Sequence, residues 1–242
     1  GAGRIVGQLG LNFGNFSTKN ILKKDKWTPL PSGDGQMLSL SASSNGIYYQ
    51  NYNISFTEPW LGGKKPNSLT VSLYKSISSN GLQGDSRQAT EIMGVSLGLG
   101  KRLKYPDDYF SIYNGISFQQ YKLINNQSFF SFSNGFSNNI NYTIRLARNS
   151  VDQLIYPRRG SNLSLSLKLT PPYSKFDDID DYSTISDQEK YSWIEYYKWK
   201  FKSSWFSAFT DKLVVNTRIE MGLLGAYNKN LGVAPFERFY VG

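Results

Sequence analysis

The stretch Ser161-Asn-Leu-Ser-Leu-Ser-Leu-Lys-Leu-Thr170 decides what kind of fold this chain can adopt. In an extended strand, successive side chains point to opposite faces. Leu163, Leu165, Leu167 and Leu169 therefore share one face, and Asn162, Ser164, Ser166, Lys168 and Thr170 share the other. A helix would scatter those leucines around its axis. A soluble sandwich would bury the leucine face against a second sheet. A membrane barrel would turn it to lipid and keep serine and lysine inside.

Working outward, the same period of two recurs. Apolar and polar residues alternate along residues 37–43, 49–57, 68–76, 91–100, 110–121, 140–146, 191–202 and 213–223. Residues 5–13 read as a glycine-rich strand, which makes about ten strands in all. Ser44-Asn-Gly46 is a tight-turn signal joining the second and third. Pro29, Pro31 and Gly33-Asp-Gly35 exclude a strand over residues 20–35. Residues 125–138 and the acidic stretch 171–190 read as loops. Connections rich in proline and aromatics alternate with polar ones, as expected when successive turns lie on opposite sides of a membrane.

Composition removes several functions. The 242 residues contain no histidine and no cysteine. The usual general base, thiolate chemistry and ordinary zinc sites are therefore excluded for this segment. No apolar run is long enough for a transmembrane helix. The first residues lack the basic start and apolar core of a signal peptide, so the chain reads as an internal or mature segment. The net charge of +9 is spread along the sequence without a basic tract, which argues against nucleic acid and suits a barrel lumen or anionic lipid.

Aromatic residues weigh the choice between sandwich and barrel. Trp27, Trp60, Tyr105, Tyr109, Tyr156, Trp205 and Phe209 fall at strand ends beside turns, where an interfacial girdle belongs. Strands of about ten residues are also long for a sandwich. The pattern favours an antiparallel transmembrane β-barrel.

Other motifs support only plain readings. The carboxylates Asp177, Asp178, Asp180, Asp181, Asp187 and Glu189 lack the spacing and glycine of an EF-hand loop, so a solvated loop or partner contact is expected. Asp107-Asp108 and Asp177-Asp178 sit in turn-like sequence without an aromatic subsite pattern. Lys198, Lys200 and Lys202 form a cationic row, expected to be neutralised by Glu220 or by water. No catalytic, cofactor-binding or metal-binding residue is expected, and no cofactor.

Five further words stand out: Phe16-Ser-Thr-Lys-Asn-Ile21, Leu30-Pro-Ser-Gly-Asp-Gly-Gln36, Phe56-Thr-Glu-Pro-Trp-Leu61, Tyr156-Pro-Arg-Arg-Gly-Ser161 and Pro235-Phe-Glu-Arg-Phe-Tyr-Val-Gly242. Together they resemble words of the BamA family of outer-membrane protein assembly barrels. They stand in the family's order and span nearly the whole chain. The resemblance implies a sixteen-stranded barrel preceded by periplasmic POTRA domains. Residues 1–242 would form a partial barrel domain, roughly the second to eleventh strands. It further implies a non-enzymatic protein of the outer membrane that folds and inserts β-barrel proteins through an openable strand seam. Its partners would be unfolded outer-membrane protein clients, accessory lipoproteins or surface subunits, and outer-membrane lipids. A passive pore or a related secretion barrel is the alternative.

Overall fold

The computed structural model describes residues 6–63, 67–126, 131–177, 179, 181–234 and 237–239. Ten strands follow one another: β1 (Val6–Phe16), β2 (Gln36–Asn45), β3 (Tyr49–Glu58), β4 (Asn67–Ser79), β5 (Ala89–Arg102), β6 (Phe110–Ile124), β7 (Gly135–Asn149), β8 (Gly160–Leu169), β9 (Tyr197–Ala208) and β10 (Val214–Gly225). They form one sheet in the order β1 to β10, each antiparallel to the next. A meander of this kind needs only local connections between neighbours.

Register turns the alternation into continuous rows. Leu11, Leu40, Ile54, Leu73, Val95, Phe118 and Ile140 pair in sequence from β1 to β7. A second row runs Phe13, Leu38, Phe56, Val71, Leu97, Ile116, Tyr142, Leu169. Between them, on the opposite face, lies Asn12, Ser39, Ser55, Ser72, Ser96, Ser117, Asn141. A slip of one residue in any pair would carry that strand's apolar set to the wrong face.

The apolar face is not covered by protein. Leu73, Leu97, Ile116, Leu165, Met221 and Leu223 are all exposed. The buried apolar residues instead lie on the polar face and in the segments folded over it: Leu123 with Phe132, and Ile194 with Tyr196 and Ala234. We call the covered face inner and the bare one outer. This is the reverse of a soluble sandwich, whose apolar rows would be the core.

The outer apolar band has two borders. At one end, which we call the aromatic end, lie the connections 17–35, 59–63, 103–109, 150–159 and 209–213. Trp27, Trp60, Tyr105, Tyr109, Tyr156 and Phe209 are exposed there. At the other, the cap end, the outer face turns polar through Lys75, Gln120 and the register pair Glu91–Lys122. Trp205 lies inside β9 rather than beyond it, near its aromatic end and exposed.

Several boundaries differ from the sequence reading. β7 begins at Gly135, inside the expected loop 125–138, because Asn138 and Asn139 are strand residues despite their polarity. The expected strand 191–202 starts only at Tyr197. Ahead of it, Asn138 N–H donates to the Ser192 carbonyl (2.7 Å) and Ile194 N–H to the Asn138 carbonyl (2.9 Å), in a parallel bridge. This segment takes the place beside β7 that β8 vacates after Leu169. The first hairpin turns at Gly46, whose φ of +60° suits glycine, and β2 runs on through Asn45. The acidic stretch carries a 3-10 turn (Tyr173–Lys175) and a short helix (Asp187–Lys190) capped by Ser186. Ile5 lies outside the described residues.

Candidate functional site in the inner-face cap

The inner faces of β8, β9 and β10 are strongly basic. Lys168 pairs in register with Lys198, Ser166 with Lys200, and Ser164 with Lys202. Alternation alone puts these side chains on one face, and antiparallel pairing brings them abreast. Like charges so placed repel one another unless anions intervene. Two carboxylates do so. Glu220 meets Lys202 at 2.8 Å, with both side chains about half exposed, so this pair contributes little stability. Glu237 meets Lys198 at 3.3 Å, with side chains only 10% and 21% exposed.

Glu237 belongs to the segment that follows β10 and folds back over the inner face. Lys198 Nζ also donates to the Glu237 carbonyl at 2.7 Å and sits 4.6 Å from the centre of the Phe239 ring. Asn139 Nδ2 donates to Glu237 Oε1 (3.4 Å) and to the Tyr196 hydroxyl (3.3 Å). Asn141 donates to Asn139 Oδ1 (3.3 Å), and Ser117 to Asn141 Oδ1 (2.9 Å). The network thus spans β6, β7, β9 and the cap. Asn139, Asn141, Tyr196 and Glu237 are all buried, so each lost partner would leave a desolvated polar group.

Packing explains why the segment lies there. Phe239 rests over Gly222, where a Cβ would come within 2.5–2.7 Å of its ring. Leu231 and Ala234 are buried, and Tyr191 donates to the Leu231 carbonyl at 3.4 Å. Glu195, 2% exposed, clamps two loops together. It accepts from the Ser174 amide (2.9 Å) and hydroxyl (2.8 Å), and from the Asn228 amide (3.2 Å). Burial, aided by the nearby Glu237 carboxylate, pushes the Tyr196 hydroxyl well above its ordinary pKa and keeps it a neutral donor or acceptor. The arrangement holds a chain segment across the lumen side of the wall. Of its two buried carboxylates, Glu237 is neutralised by Lys198 and Glu195 is held by three hydrogen bonds from Ser174 and Asn228.

The inner-face glycines of β5 and β6 are filled rather than empty. The Tyr74 ring lies over Gly94, and Tyr113 lies over Gly98 and Gly115. Small residues there accept neighbouring rings, the sheet pairing known as aromatic rescue.

The carboxylates considered from sequence have other duties. Asp177 accepts the Tyr182 hydroxyl at 2.8 Å on both oxygens, and Asp181 accepts the Ser183 amide at 2.9 Å. Asp178 and Asp180 lie outside the described residues. Among the described residues no three His, Cys, Asp or Glu side chains converge as a metal group. Asp107 pairs with Arg148 at 2.9 Å. The expected neutralisation of Lys202 by Glu220 is present. Glu237 was missed as a partner of Lys198, because the two are 39 residues apart and no local spacing links them.

A family model described as the Omp85 superfamily domain matches residues 32–242. The fold is similar to that in the crystal structure of BamA from Haemophilus ducreyi lacking POTRA domains 1–3. The TM-score is 0.65 and the identity 18%, covering 99% of this chain and 44% of that one. The ten-stranded sheet is therefore part of a BamA-like β-barrel wall, and it spans less than half the length of the structure it matches. No curated protein matches the sequence. With the family model covering β2 to β10 and the inner cap, the chain belongs to the Omp85 superfamily.

Proposed function

We propose that this chain is the wall and inner cap of an insertase barrel in the outer membrane, one that folds and inserts β-barrel proteins. The single observation that carries the reading is the bare outer band. Apolar rows run without a break across paired strands, bordered by aromatics at one end and charges at the other. Strands can cross hydrocarbon only when their backbone groups are paired, which the continuous antiparallel ladder supplies.

The residues 1–242 would form a partial barrel domain of a sixteen-stranded whole, with the seam outside these ten strands. A client strand entering lipid needs partners for its amides and carbonyls, and an opened barrel edge offers them. The chemistry is edge pairing, so the protein is not an enzyme. Its partners are unfolded outer-membrane protein clients, accessory lipoproteins or surface subunits, and outer-membrane lipids. The cap favours this reading over a passive pore. Lys198, Glu237 and Phe239 occupy lumen-side space that a permanent conduit would leave free.

The test is reconstitution of the full-length protein in liposomes with an unfolded barrel client. Client folding well above that in empty liposomes, read by heat-modifiable gel mobility, is the expected result. Steady solute conductance with no gain in client folding would overturn it in favour of a pore.

A further inference from the structure

The connection between β1 and β2 does more than reverse the chain. Residues 17–35 are tightly organised. Ser17 donates to Asp34 (2.6 Å), Asn20 Nδ2 to the Ser32 carbonyl (2.9 Å), and Gly33 N–H to the Asn15 carbonyl (3.0 Å). The Trp27 indole N–H donates to the Ile21 carbonyl at 3.2 Å. This scaffold presents apolar side chains outward: Leu22 is 93% exposed, and Ile21 and Trp27 nearly half.

Lys19, Lys23, Lys24 and Lys26 surround that tip and are all exposed. Among the described residues, the one ion pair these lysines make is Lys26 with Asp25 at 4.0 Å, both largely solvated. Two other connections at the same end repeat the juxtaposition. Tyr105 follows Lys104, and Leu154, Ile155 and Tyr156 precede Arg158 and Arg159, with the apolar members strongly exposed. A solvated turn gains nothing from a leucine held in water inside a ring of cations. At a bilayer surface the same group buries its apolar tip below the headgroups while the lysines meet anionic phosphates.

We propose that the β1–β2 connection is a membrane-surface anchor that takes up anionic phospholipid, with Ile21, Leu22 and Trp27 entering the interface and the four lysines binding headgroups. This rests on the outer band facing lipid, and it adds a site outside the wall itself.

Residues 1–242 contain no cysteine, so single labels can be placed cleanly within them once any cysteine elsewhere in the full-length protein is replaced by serine. Leu22→Cys, Leu165→Cys and Gln83→Cys versions of the full-length protein, each carrying a polarity-sensitive fluorophore, go into bilayers with and without phosphatidylglycerol. Quenching is read with lipid-borne nitroxide and with aqueous iodide. Position 22 is expected to be quenched by lipid nitroxide, with iodide quenching roughly threefold weaker than at position 83. That protection should fall on replacing the four lysines by glutamine, or on omitting phosphatidylglycerol. Iodide quenching at 22 equal to that at 83, with 165 quenched by lipid, would overturn the anchor and leave the barrel reading intact. Position 165 open to iodide would overturn the barrel reading itself. Protection of 22 from iodide without lipid quenching would mean a protein covers it, and would also overturn the proposal.

Discussion

At the scale of single residues, glycine and a long-range ion pair show how little slack the structure has. Gly160 ends the Tyr156-Pro-Arg-Arg-Gly160 turn with φ of +103°, and a Cβ there would collide with the Ser150 carbonyl. Gly160→Ala is expected to cost about 1–3 kcal/mol, measured by denaturant unfolding of the refolded protein in lipid. Between cap and wall, Lys198→Ala and Glu237→Gln each strand a partner. A double-mutant cycle on the pair is expected to give a coupling of about 0.5–3 kcal/mol, whereas the exposed pair Lys202–Glu220 should give less. Tyr182 supplies the pH dependence. Burial, and then its hydrogen bond to Asp177, push its pKa up to about 12 from the ordinary 10.0. Its contribution to loop stability is complete below pH about 10 and is lost as the pH rises toward about 12, because only the unfolded tyrosine ionises readily in that window. Ultraviolet titration of tyrosinate should show several late-ionising groups, Tyr196 among them, and Tyr182→Phe should remove the one that titrates near pH 12.

At the scale of the element, alternation carried nearly all the information. Strands such as β8 and β4 were legible because each leucine or valine is separated by one small polar residue. Alternation failed where polar residues do the inner work. Asn138 and Asn139 lie in β7, yet in sequence they look like loop, since nothing local says that Asn139 will be buried against Tyr196 and Glu237. It failed again at residues 191–196, where aromatic alternation suggested strand but the backbone leaves β8 to bridge β7. The cap was invisible for a related reason: its partners are tens of residues away, and charge identity alone does not choose between Glu220 and Glu237 for Lys198. The two faces of β4 give a direct contrast. Leu73→Arg, on the bare outer face, is expected to cost about 2–4 kcal/mol near the bilayer midplane. Ser72→Arg, one residue away on the inner face, should cost less than about 1 kcal/mol, since its side chain reaches a wet interior. Equal costs in lipid-refolding titrations would contradict the assignment of faces.

At the scale of the whole molecule, one sheet supports two opposite environments. Its outer face holds the apolar rows and its inner face holds the lysines, the serine row and the folded-in cap. Membership of the Omp85 superfamily and the BamA-like wall follow from this layout together with the sequence match. The insertase reading stands or falls on which face meets lipid. The most direct measurement is a cysteine scan of β8, residues 163 to 169 one at a time, with spin labels read for collision with oxygen in the bilayer and with a water-soluble nickel complex. Oxygen accessibility should peak at 163, 165, 167 and 169, and nickel accessibility at 164, 166 and 168. The reverse phase, or no alternation at all, would contradict the account.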